Sequence, residues 1–231
     1  MQNVIVTGGA QGIGEAIARL LYPSYRIIIL DQKEPKHGYY HHFYACDLSS
    51  KAALLATIET LKAALDNVYA LINNAGIFDQ TALEEQSLTT WEKIIAVNLQ
   101  APYVLAQAFA PLLTQSHGHI VNIASTRAIM SEPGTEAYSA SKGGLVALSH
   151  ALAQSLSGSV SVNAISPGWI NTDETYQPTD EEDRWHASGR VGRSSDIAEM
   201  VVFLLARNDG FITGSHFVID GGVSRKMVYP S

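Results

Sequence analysis

The chain has 231 residues, 46% of them hydrophobic, and its 22 acidic against 15 basic side chains leave a formal net charge of −7. Nucleic acid is disfavoured as a partner, because phosphate binding needs clustered Lys and Arg and the basic residues here are scattered. This size and apolar content suit the core of one large α/β unit, so we expect residues 1–231 to form a single domain.

Cysteine and histidine usage points away from metal and disulfide chemistry. Cys46 is the only cysteine, which excludes an internal disulfide and fits a reducing, cytoplasmic compartment. No HExxH-like pair accompanies His41 and His42, so we expect no metal site. The first apolar run is too short for a signal peptide, and no stretch approaches the roughly 20 apolar residues of a membrane span. We therefore expect a cytoplasmic protein with no membrane partner.

The first predicted element is a short apolar strand, Asn3–Thr7, followed at once by the turn GGAQGIG and the helical pattern EAIARLLY. The glycine spacing is GxxxGxG, at Gly8, Gly12 and Gly14, rather than the dinucleotide fingerprint GxGxxG. Between a strand and a helix, such glycines let backbone N–H groups and a helix N-terminus approach a pyrophosphate. The alternative is a flexible turn with no ligand.

The second predicted strand, Arg26–Leu30, ends on Asp31 at the carboxyl edge of the sheet, where ligands of open α/β sheets bind. Asp31 lies 17 positions beyond Gly14, close to the spacing of about 20 expected for an acid that binds ribose hydroxyls. This favours NAD over NADP, whose 2′-phosphate would face the carboxylate. Gln11 in the turn is neutral, while Lys33 could swing towards such a phosphate.

Short strands and helices alternate along the rest of the chain. The pattern predicts strands at 42–46, 68–73, 118–124, 160–165 and 216–219, and helices at 51–65, 89–115, 135–156 and 196–206. Ser49 or Ser50 is the expected N-cap of the second helix, and Ser194 or Ser195 that of the last one. Such alternation predicts a doubly wound α/β fold, with a seven-stranded parallel Rossmann-type sheet and helices on both faces.

The long predicted helix at 89–115 contains Asn98 and, four residues on, Pro102. Proline has no N–H and clashes with the carbonyl four residues before it. The Asn98 carbonyl is therefore predicted to be available to another group, such as water.

Tyr138 and Lys142 lie four residues apart in a predicted helix, so they share one of its faces. A nearby positive charge favours phenolate, which predicts a pKa for Tyr138 below the ordinary value near ~10. Proton transfer to or from an alcohol oxygen is the natural use of such a group. Ser125, at the end of the fifth strand, lies at the same sheet edge as Asp31. The alternative is that Tyr138 and Lys142 lie on a solvated helix face and have no joint function.

Periodicity disappears between Asn171 and Gly192, where six acidic residues occur. Long loops in compact domains are usually functional, so we interpret 171–192 as a substrate lid carrying Trp185. A merely solvated loop is the alternative.

The tail at 223–231 has no partner element of its own. Its apolar residues Met227, Val228 and Tyr229 favour docking on a neighbouring subunit or over the mouth of the active site. A frayed terminus is the alternative.

In order and spacing, these motifs resemble the short-chain dehydrogenase/reductase family over essentially the whole chain. TGGAQGIG is similar to that family's TGxxxGIG turn, NNAG at Asn73–Gly76 to its NNAG, and YSASK at Tyr138–Lys142 to its YxxxK. Asn98, Ser125 and the PGWINT segment at Pro167–Thr172 also match.

The resemblance implies a catalytic set of Asn98, Ser125, Tyr138 and Lys142. Tyr138 would be the general acid/base, and Lys142 would lower its pKa and hold the nicotinamide ribose. Ser125 would hydrogen-bond the reacting oxygen, and Asn98 would anchor a water in a proton relay to Lys142.

The resemblance also implies a cofactor site at the carboxyl edge of the sheet. Asp47 and Leu48 would contact the adenine, the segment Asn74–Gly76 the adenine ribose, and Pro167–Thr172 the nicotinamide. The full set of expected cofactor contacts is Gly8, Gln11, Gly12, Ile13, Gly14, Asp31, Asp47, Leu48, Asn74, Ala75, Gly76, Tyr138, Lys142, Pro167, Gly168, Ile170 and Thr172.

We therefore expect an NAD-dependent oxidoreductase that moves hydride between the cofactor and a secondary alcohol or ketone. The alternatives are an NADPH-dependent carbonyl reductase and a non-catalytic NAD(H)-binding sensor or scaffold, which would need no proton relay. By analogy with the family, a homo-oligomer, either a tetramer or a dimer, is expected. The candidate substrate-pocket residues are Arg127, Ile129, Met130, Trp169, Tyr176 and Trp185.

Overall fold

The computed structural model describes residues 1–173, 175–207 and 209–227, so Val228 and Tyr229 of the predicted docking tail lie outside the described residues. The strands are β1 Asn3–Thr7, β2 Arg26–Asp31, β3 His42–Ala45, β4 Ala70–Asn73, β5 His119–Ile123, β6 Ser161–Pro167, β7 Ile170–Asn171, β8 Gly192–Arg193 and β9 His216–Ile219. The helices are α1 Gly12–Leu21, α2 Lys51–Ala64, α3 Leu88–Ile95, α4 Ala101–Gln115, α5 Glu136–Ser155, α6 Asp180–Arg184 and α7 Ser194–Leu205.

Seven strands form one parallel sheet in the order β3-β2-β1-β4-β5-β6-β9, which confirms the predicted doubly wound fold. The strand residues alternate between two apolar layers, as the two-residue period of a strand requires. On one face, Ile5 and Ile28 pack with α2, α4 and α5. On the other face, Val4 and Val6 pack with α1 and α7. The described bounds of the seven strands differ from the predicted ones by at most two residues.

The caps of two helices test the sequence reading of their starts. Ser50 caps α2, because its hydroxyl accepts the Ala53 N–H at 3.3 Å. The serine caps predicted for the last helix are wrong, since α7 begins at Ser194 and Arg193 is the capping residue. The Asp196 carboxylate, at the third position of the helix, accepts the Arg193 N–H at 2.7 Å, as the acidic partner in a capping box does.

The long helix Leu88–Gln115 is interrupted by a π-helical turn at Ala96–Gln100, which the sequence reading did not predict. Asn98 lies in this turn, and Pro102 lies in the first turn of α4, where its missing N–H is tolerated. By length and composition alone this helix could cross a membrane. Its buried side chains, including Phe109, instead pack against the sheet, as in the core helices of other α/β domains.

The predicted lid segment has more structure than its sequence indicated. It contains α6 and is joined to the end of β6 through a second, two-stranded parallel sheet of β7 and β8. At the start of α6, Thr179 and Glu182 form a capping box. The Asp183 carboxylate accepts the Val191 N–H at 2.7 Å and fixes the far end of the segment.

Candidate active site

A cleft of about 800 Å³ opens at the carboxyl ends of β1, β2 and β4. Its position is the one that an open α/β sheet reserves for ligands. Ten of the expected cofactor contacts line it: Gly8, Gln11, Gly12, Ile13, Asp31, Leu48, Asn74, Ala75, Gly76 and Thr172.

The glycine turn is tight enough to exclude side chains. Gly8 and Gly12 have φ values of +64° and +59°, in the left-handed region that favours glycine. A Cβ on Gly14 would lie 2.1 Å from the Gly8 carbonyl oxygen, so this position also requires glycine. The backbone therefore borders the cleft directly, with the N-terminus of α1 beside it.

The turn after β4 is bonded to the glycine turn. Asn74 Nδ2 donates to the carbonyl oxygens of Gly8 at 2.9 Å and Thr7 at 3.1 Å. The Thr7 hydroxyl oxygen accepts the N–H groups of Asn74 and Ala75, both at 3.0 Å. These bonds hold two walls of the cleft in a fixed relation.

The Asp31 carboxylate lies on the cleft wall and is fixed by backbone donors. Oδ2 accepts the Ala10 N–H at 3.0 Å, and Oδ1 accepts the Lys33 N–H at 3.2 Å. Two further lysines, Lys36 and Lys93, also line the cleft, so its charge is mixed.

Several expected cofactor contacts lie outside the walls of this cleft: Gly14, Asp47, Tyr138, Lys142, Pro167, Gly168 and Ile170. The Asp47 carboxylate bonds to the hydroxyl and N–H of Ser49, at 2.7 and 2.9 Å, and these bonds hold its pKa below the ordinary value. Gly168 packs on Asp220, where a Cβ would lie 2.7 Å from the Asp220 Cβ. Cofactor contacts by this group remain predictions.

The sequence reading missed several residues on the cleft walls. They are Ala10, Leu30, Gln32, Lys36, Cys46, Ile77, Lys93, Val97 and Asp173. Apart from Ala10, which lies within TGGAQGIG, no motif marks them, because they come from different elements that only the fold brings together. Within the described ranges 1–173, 175–207 and 209–227, no cluster of three or more His, Cys, Asp or Glu side chains is arranged to hold a metal ion.

Lys142 is buried behind the cleft wall at Gly76, with 2% of its surface exposed. Its Nζ donates to the Ile123 carbonyl oxygen at 2.7 Å. A Cβ on Gly76 would lie only 3.3 Å from Nζ, so the ammonium group and the cleft wall are in close contact. Burial lowers the pKa of Lys142 to about 8, because desolvation disfavours the charged form.

Tyr138 lies beside this lysine, with Lys142 Nζ 5.7 Å from the centre of the phenol ring. Burial raises the pKa of Tyr138, while the hydrogen bond with Ser125 and the charge of Arg127 act in the opposite direction. The predicted lowering of this pKa is therefore wrong for this structure. The ammonium of Lys142 bonds to a backbone carbonyl, and desolvation of the phenol outweighs the favourable contacts.

Ser125 is placed beside Tyr138 by a short 3₁₀ turn, Thr126–Ala128, which it caps. Its hydroxyl oxygen accepts the Arg127 N–H at 3.2 Å. The same hydroxyl acts to lower the pKa of the Tyr138 phenol, which places the two O–H groups near one another. Such a pair can hold an alcohol or carbonyl oxygen and exchange a proton with it.

Asn98 connects the π-helical turn to the cleft and to α5. Its side chain is fully buried and bonds to Ile77 and to the Ser141 hydroxyl. The Ser141 hydroxyl in turn donates to the Tyr138 carbonyl oxygen at 2.7 Å. Asn98 thereby positions the helix that carries the tyrosine, and a water at its own carbonyl remains a prediction.

Exposed apolar side chains surround this point. Phe78 packs edge-on against Tyr138, with ring centres 5.0 Å apart, and the sequence reading missed it. Ile129 and Met130, at 52% and 41% exposure, follow the Ser125 turn. The other predicted pocket residues form an aromatic group, since Trp169 lies 5.9 Å from Trp185 and 6.4 Å from Tyr176 between ring centres.

Comparisons with known proteins extend over nearly the whole chain. A family model described as enoyl-(acyl carrier protein) reductase matches residues 8–224. An uncharacterized oxidoreductase of Thermotoga maritima is 39% identical, over 97% of this chain and 96% of the relative. An apo SCOR enzyme from Clostridium thermocellum has a TM-score of 0.90 at 37% identity, covering 99% of this chain and 95% of that chain.

A solved structure also links the fold to a cofactor. The 4-hydroxyisoleucine dehydrogenase complexed with NADH has a TM-score of 0.88 at 31% identity, and the match covers 98% of this chain and 100% of that chain. The chain is thus similar over nearly its whole length to oxidoreductases, one of which has been solved with a nicotinamide cofactor.

Proposed function

The chain belongs to the short-chain dehydrogenase/reductase family of oxidoreductases, and we propose that it uses NAD to interconvert a secondary alcohol and its ketone. One observation carries this proposal. The buried ammonium of Lys142 lies between the phenol of Tyr138 and the glycine-lined cleft, in contact with the wall at Gly76. Burying a lysine is costly, so a purely structural role is a poor explanation for one held at this junction.

The cleft fits a nicotinamide dinucleotide. The side-chain-free backbone at Gly8 and Gly12, which line the cleft, would give a pyrophosphate close access to N–H groups and to the start of α1. The Asp31 carboxylate stands where ribose hydroxyls would donate to it. When bound, the nicotinamide supplies the redox chemistry by accepting or returning a hydride.

The protein supplies the proton chemistry. With NAD bound, oxidation would remove a hydride from the carbinol carbon to the nicotinamide, while Tyr138 would take the hydroxyl proton. The products are a ketone, NADH and one proton, which later leaves to solvent. In reduction, Tyr138 gives its proton to the ketone oxygen, and Ser125 hydrogen-bonds this oxygen in both directions.

A second candidate is an NADPH-dependent carbonyl reductase. It is favoured by Lys33 and Lys36, which line the cleft near Asp31 and could pair with a 2′-phosphate. The Asp31 carboxylate opposes it through repulsion of that phosphate.

A screen of secondary alcohols with NAD, and of ketones with NADH, tests the proposal through NADH absorbance. Tyr138→Phe keeps the ring and removes the proton carrier, so turnover should fall by about 10² to 10⁴. NADH binding, followed by its fluorescence, should change far less. A wild-type protein that binds NADH but turns over no alcohol or ketone would instead support a sensor or scaffold.

A further inference from the structure

Arg127 carries a positive charge in the 3₁₀ turn that Ser125 caps. Its backbone N–H donates to the hydroxyl of Ser125 at 3.2 Å, within the 3₁₀ turn Thr126–Ala128. Arg127 therefore lies only two positions after Ser125, whose hydroxyl lowers the pKa of the Tyr138 phenol. The charge of Arg127 is also felt at that phenol, where it favours the ionised form.

The guanidinium is only partly engaged. Its side chain is 21% exposed, and Nη2 pairs with Oε2 of Glu132 at 2.5 Å. Across the described ranges, this is the one ion pair recorded for the guanidinium, although a guanidinium has five N–H donors. Glu132 is 54% exposed and lies in the loop before α5, so solvent screens this pair and displacing it costs little.

Exposed apolar residues occur close to Arg127 in the chain and beside Tyr138. Ile129 and Met130 follow Arg127 and are exposed, and Phe78 packs edge-on against Tyr138. A cation amid apolar surface is a poor fit for a hydrocarbon alcohol and a good one for an anionic group, since Arg binds carboxylates through paired hydrogen bonds.

Three carboxylates of the acidic lid segment bond to groups within that segment. Glu182 accepts hydrogen bonds from Thr179 and Tyr176. Asp183 accepts the Val191 N–H, and Asp173 bonds to Thr175.

We propose that Arg127 is a specificity residue that binds a carboxylate of the substrate, so that the enzyme acts on hydroxy acids and the corresponding oxo acids. This inference rests on the proposed alcohol/ketone chemistry and names its substrate class. The substrate carboxylate displaces Glu132 from the guanidinium, while the carbinol oxygen lies between Ser125 and Tyr138. The redox step is unchanged: the carbinol loses a hydride to NAD and a proton to Tyr138, giving the oxo acid and NADH.

The test compares acids with their amides, which keep the shape and remove the charge. Wild-type protein is assayed with NAD and with 2-, 3- and 4-hydroxy acids, each against its amide, for example 3-hydroxybutyrate against 3-hydroxybutanamide. We expect kcat/KM for at least one acid to exceed that of its amide by about 10-fold to 100-fold, the range of a charge-assisted hydrogen bond. Arg127→Met should abolish that difference and change the amide by about threefold or less.

Matched variants separate this role from a structural one. Arg207→Met removes an arginine that stacks on Phe203 outside the site, and it should keep the preference for the acid. Glu132→Gln removes the competing carboxylate and should lower KM for the acid without changing KM for the amide. This variant keeps the proposal testable if Arg127→Met does not fold.

A binding measurement tests the proposed carboxylate site even if the protein turns over none of these substrates. Titrating the protein–NADH complex with butyrate and with butyramide, followed by NADH fluorescence, should show tighter binding of butyrate that Arg127→Met abolishes. Equal losses for acid and amide in Arg127→Met, or a wild-type preference for the amides, would overturn the proposal. No turnover of any alcohol or ketone, with butyrate still bound through Arg127, would overturn the proposed reaction and leave the anion site standing.

Discussion

The side chain of Asn98 bonds to both backbone polar groups of Ile77. Oδ1 accepts the Ile77 N–H at 2.9 Å, while Nδ2 donates to the Ile77 carbonyl oxygen at 3.0 Å and to the Ser141 hydroxyl at 3.0 Å. One amide thus connects the cleft wall after β4, the π-helical turn and the helix of Tyr138. Any catalytic role of Asn98 is therefore combined with a structural one.

Asn98→Ala should destabilise the protein by about 3 kcal/mol, because it leaves buried groups of Ile77 and Ser141 without their partner. Turnover should fall as well, since α5 loses a link to the cleft. Urea unfolding and kcat measure the two effects. Asn163→Ala is the matched control, since Asn163 is also buried and bonds to the Ile212 carbonyl and the Ser215 N–H. A similar loss of turnover in both variants at equal stability would contradict a special role for Asn98.

The two directions of the reaction should depend on pH in opposite ways. Burial raises the pKa of Tyr138, so the phenol keeps its proton above its ordinary pKa near ~10. Oxidation needs the deprotonated form, so its kcat/KM should rise roughly tenfold per pH unit through the neutral and alkaline range. Reduction needs the proton and should be independent of Tyr138 ionisation there.

Ser125→Ala should shift the rise of kcat/KM for oxidation to higher pH, because the interaction with Ser125 lowers the Tyr138 pKa. Ser155→Ala, which removes an exposed hydroxyl at the end of α5, should leave the pH dependence of kcat/KM for oxidation unchanged. An oxidation rate that already levels off below neutral pH would show that another group carries the proton.

Asp31 should set the cofactor preference. A 2′-phosphate would lie near its carboxylate, and even ~2 kcal/mol of repulsion would give roughly a thirtyfold preference for NAD in kcat/KM. Asp31→Asn removes the charge and keeps an oxygen that can accept the Ala10 N–H, so it should narrow the preference without loosening the turn.

Lys33→Gln is the companion variant. If Lys33 assists a phosphate, this change should lower kcat/KM with NADP and leave NAD unaffected. Equal kcat/KM values for the two cofactors in the wild type would show that the lysines outweigh Asp31.

His119 should make stability depend on pH. It is 3% exposed, and burial lowers its pKa from 6.5 to about 4, so the folded protein keeps it neutral while the unfolded chain protonates it. Stability should therefore fall as pH drops from about 6.5 to about 4, by at most ~3 kcal/mol from this group. His119→Phe should remove that part of the pH dependence and keep the contact with Tyr69.

Urea unfolding of both proteins at several pH values measures this difference. Replacing the exposed His150 on α5 by Gln is the control and should leave the pH dependence unchanged. Parallel pH profiles for wild type and His119→Phe would contradict the prediction.

The seven strands of the sheet, and the edge of the sheet at which they end, could be predicted because they depend on local sequence patterns. The residues of β1 and the apolar residues 27–30 of β2 are buried and determine the two strands. The carboxyl edge of the sheet then brings Asp31 and Ser125 to the same side. The start of α6 was not predicted, although the sequence carries a signal for it. Thr179 and Glu182 have the spacing of a capping box, within a segment whose many acidic residues favoured a loop.

Other features depend on contacts between distant residues. The direction of the Tyr138 pKa reverses because burial, which the spacing to Lys142 does not report, is the largest influence. Lys93 reaches the cleft only because α3 packs beside it. The pairing of Arg127 with Glu132 depends on a loop conformation that no motif specifies.

The π-helical turn at Ala96–Gln100 has a consequence for how this chain tolerates insertions and deletions. A π turn contains one residue more than the α-helical turn it replaces, so α3 and α4 are out of phase by about 100° around a common axis. Deleting one residue there would restore an unbroken α-helix and rotate Asn98 away from Ile77. We therefore expect insertions and deletions to be tolerated better at the two ends of the long helix than in its middle, where the bonds of Asn98 to Ile77 fix the number of residues.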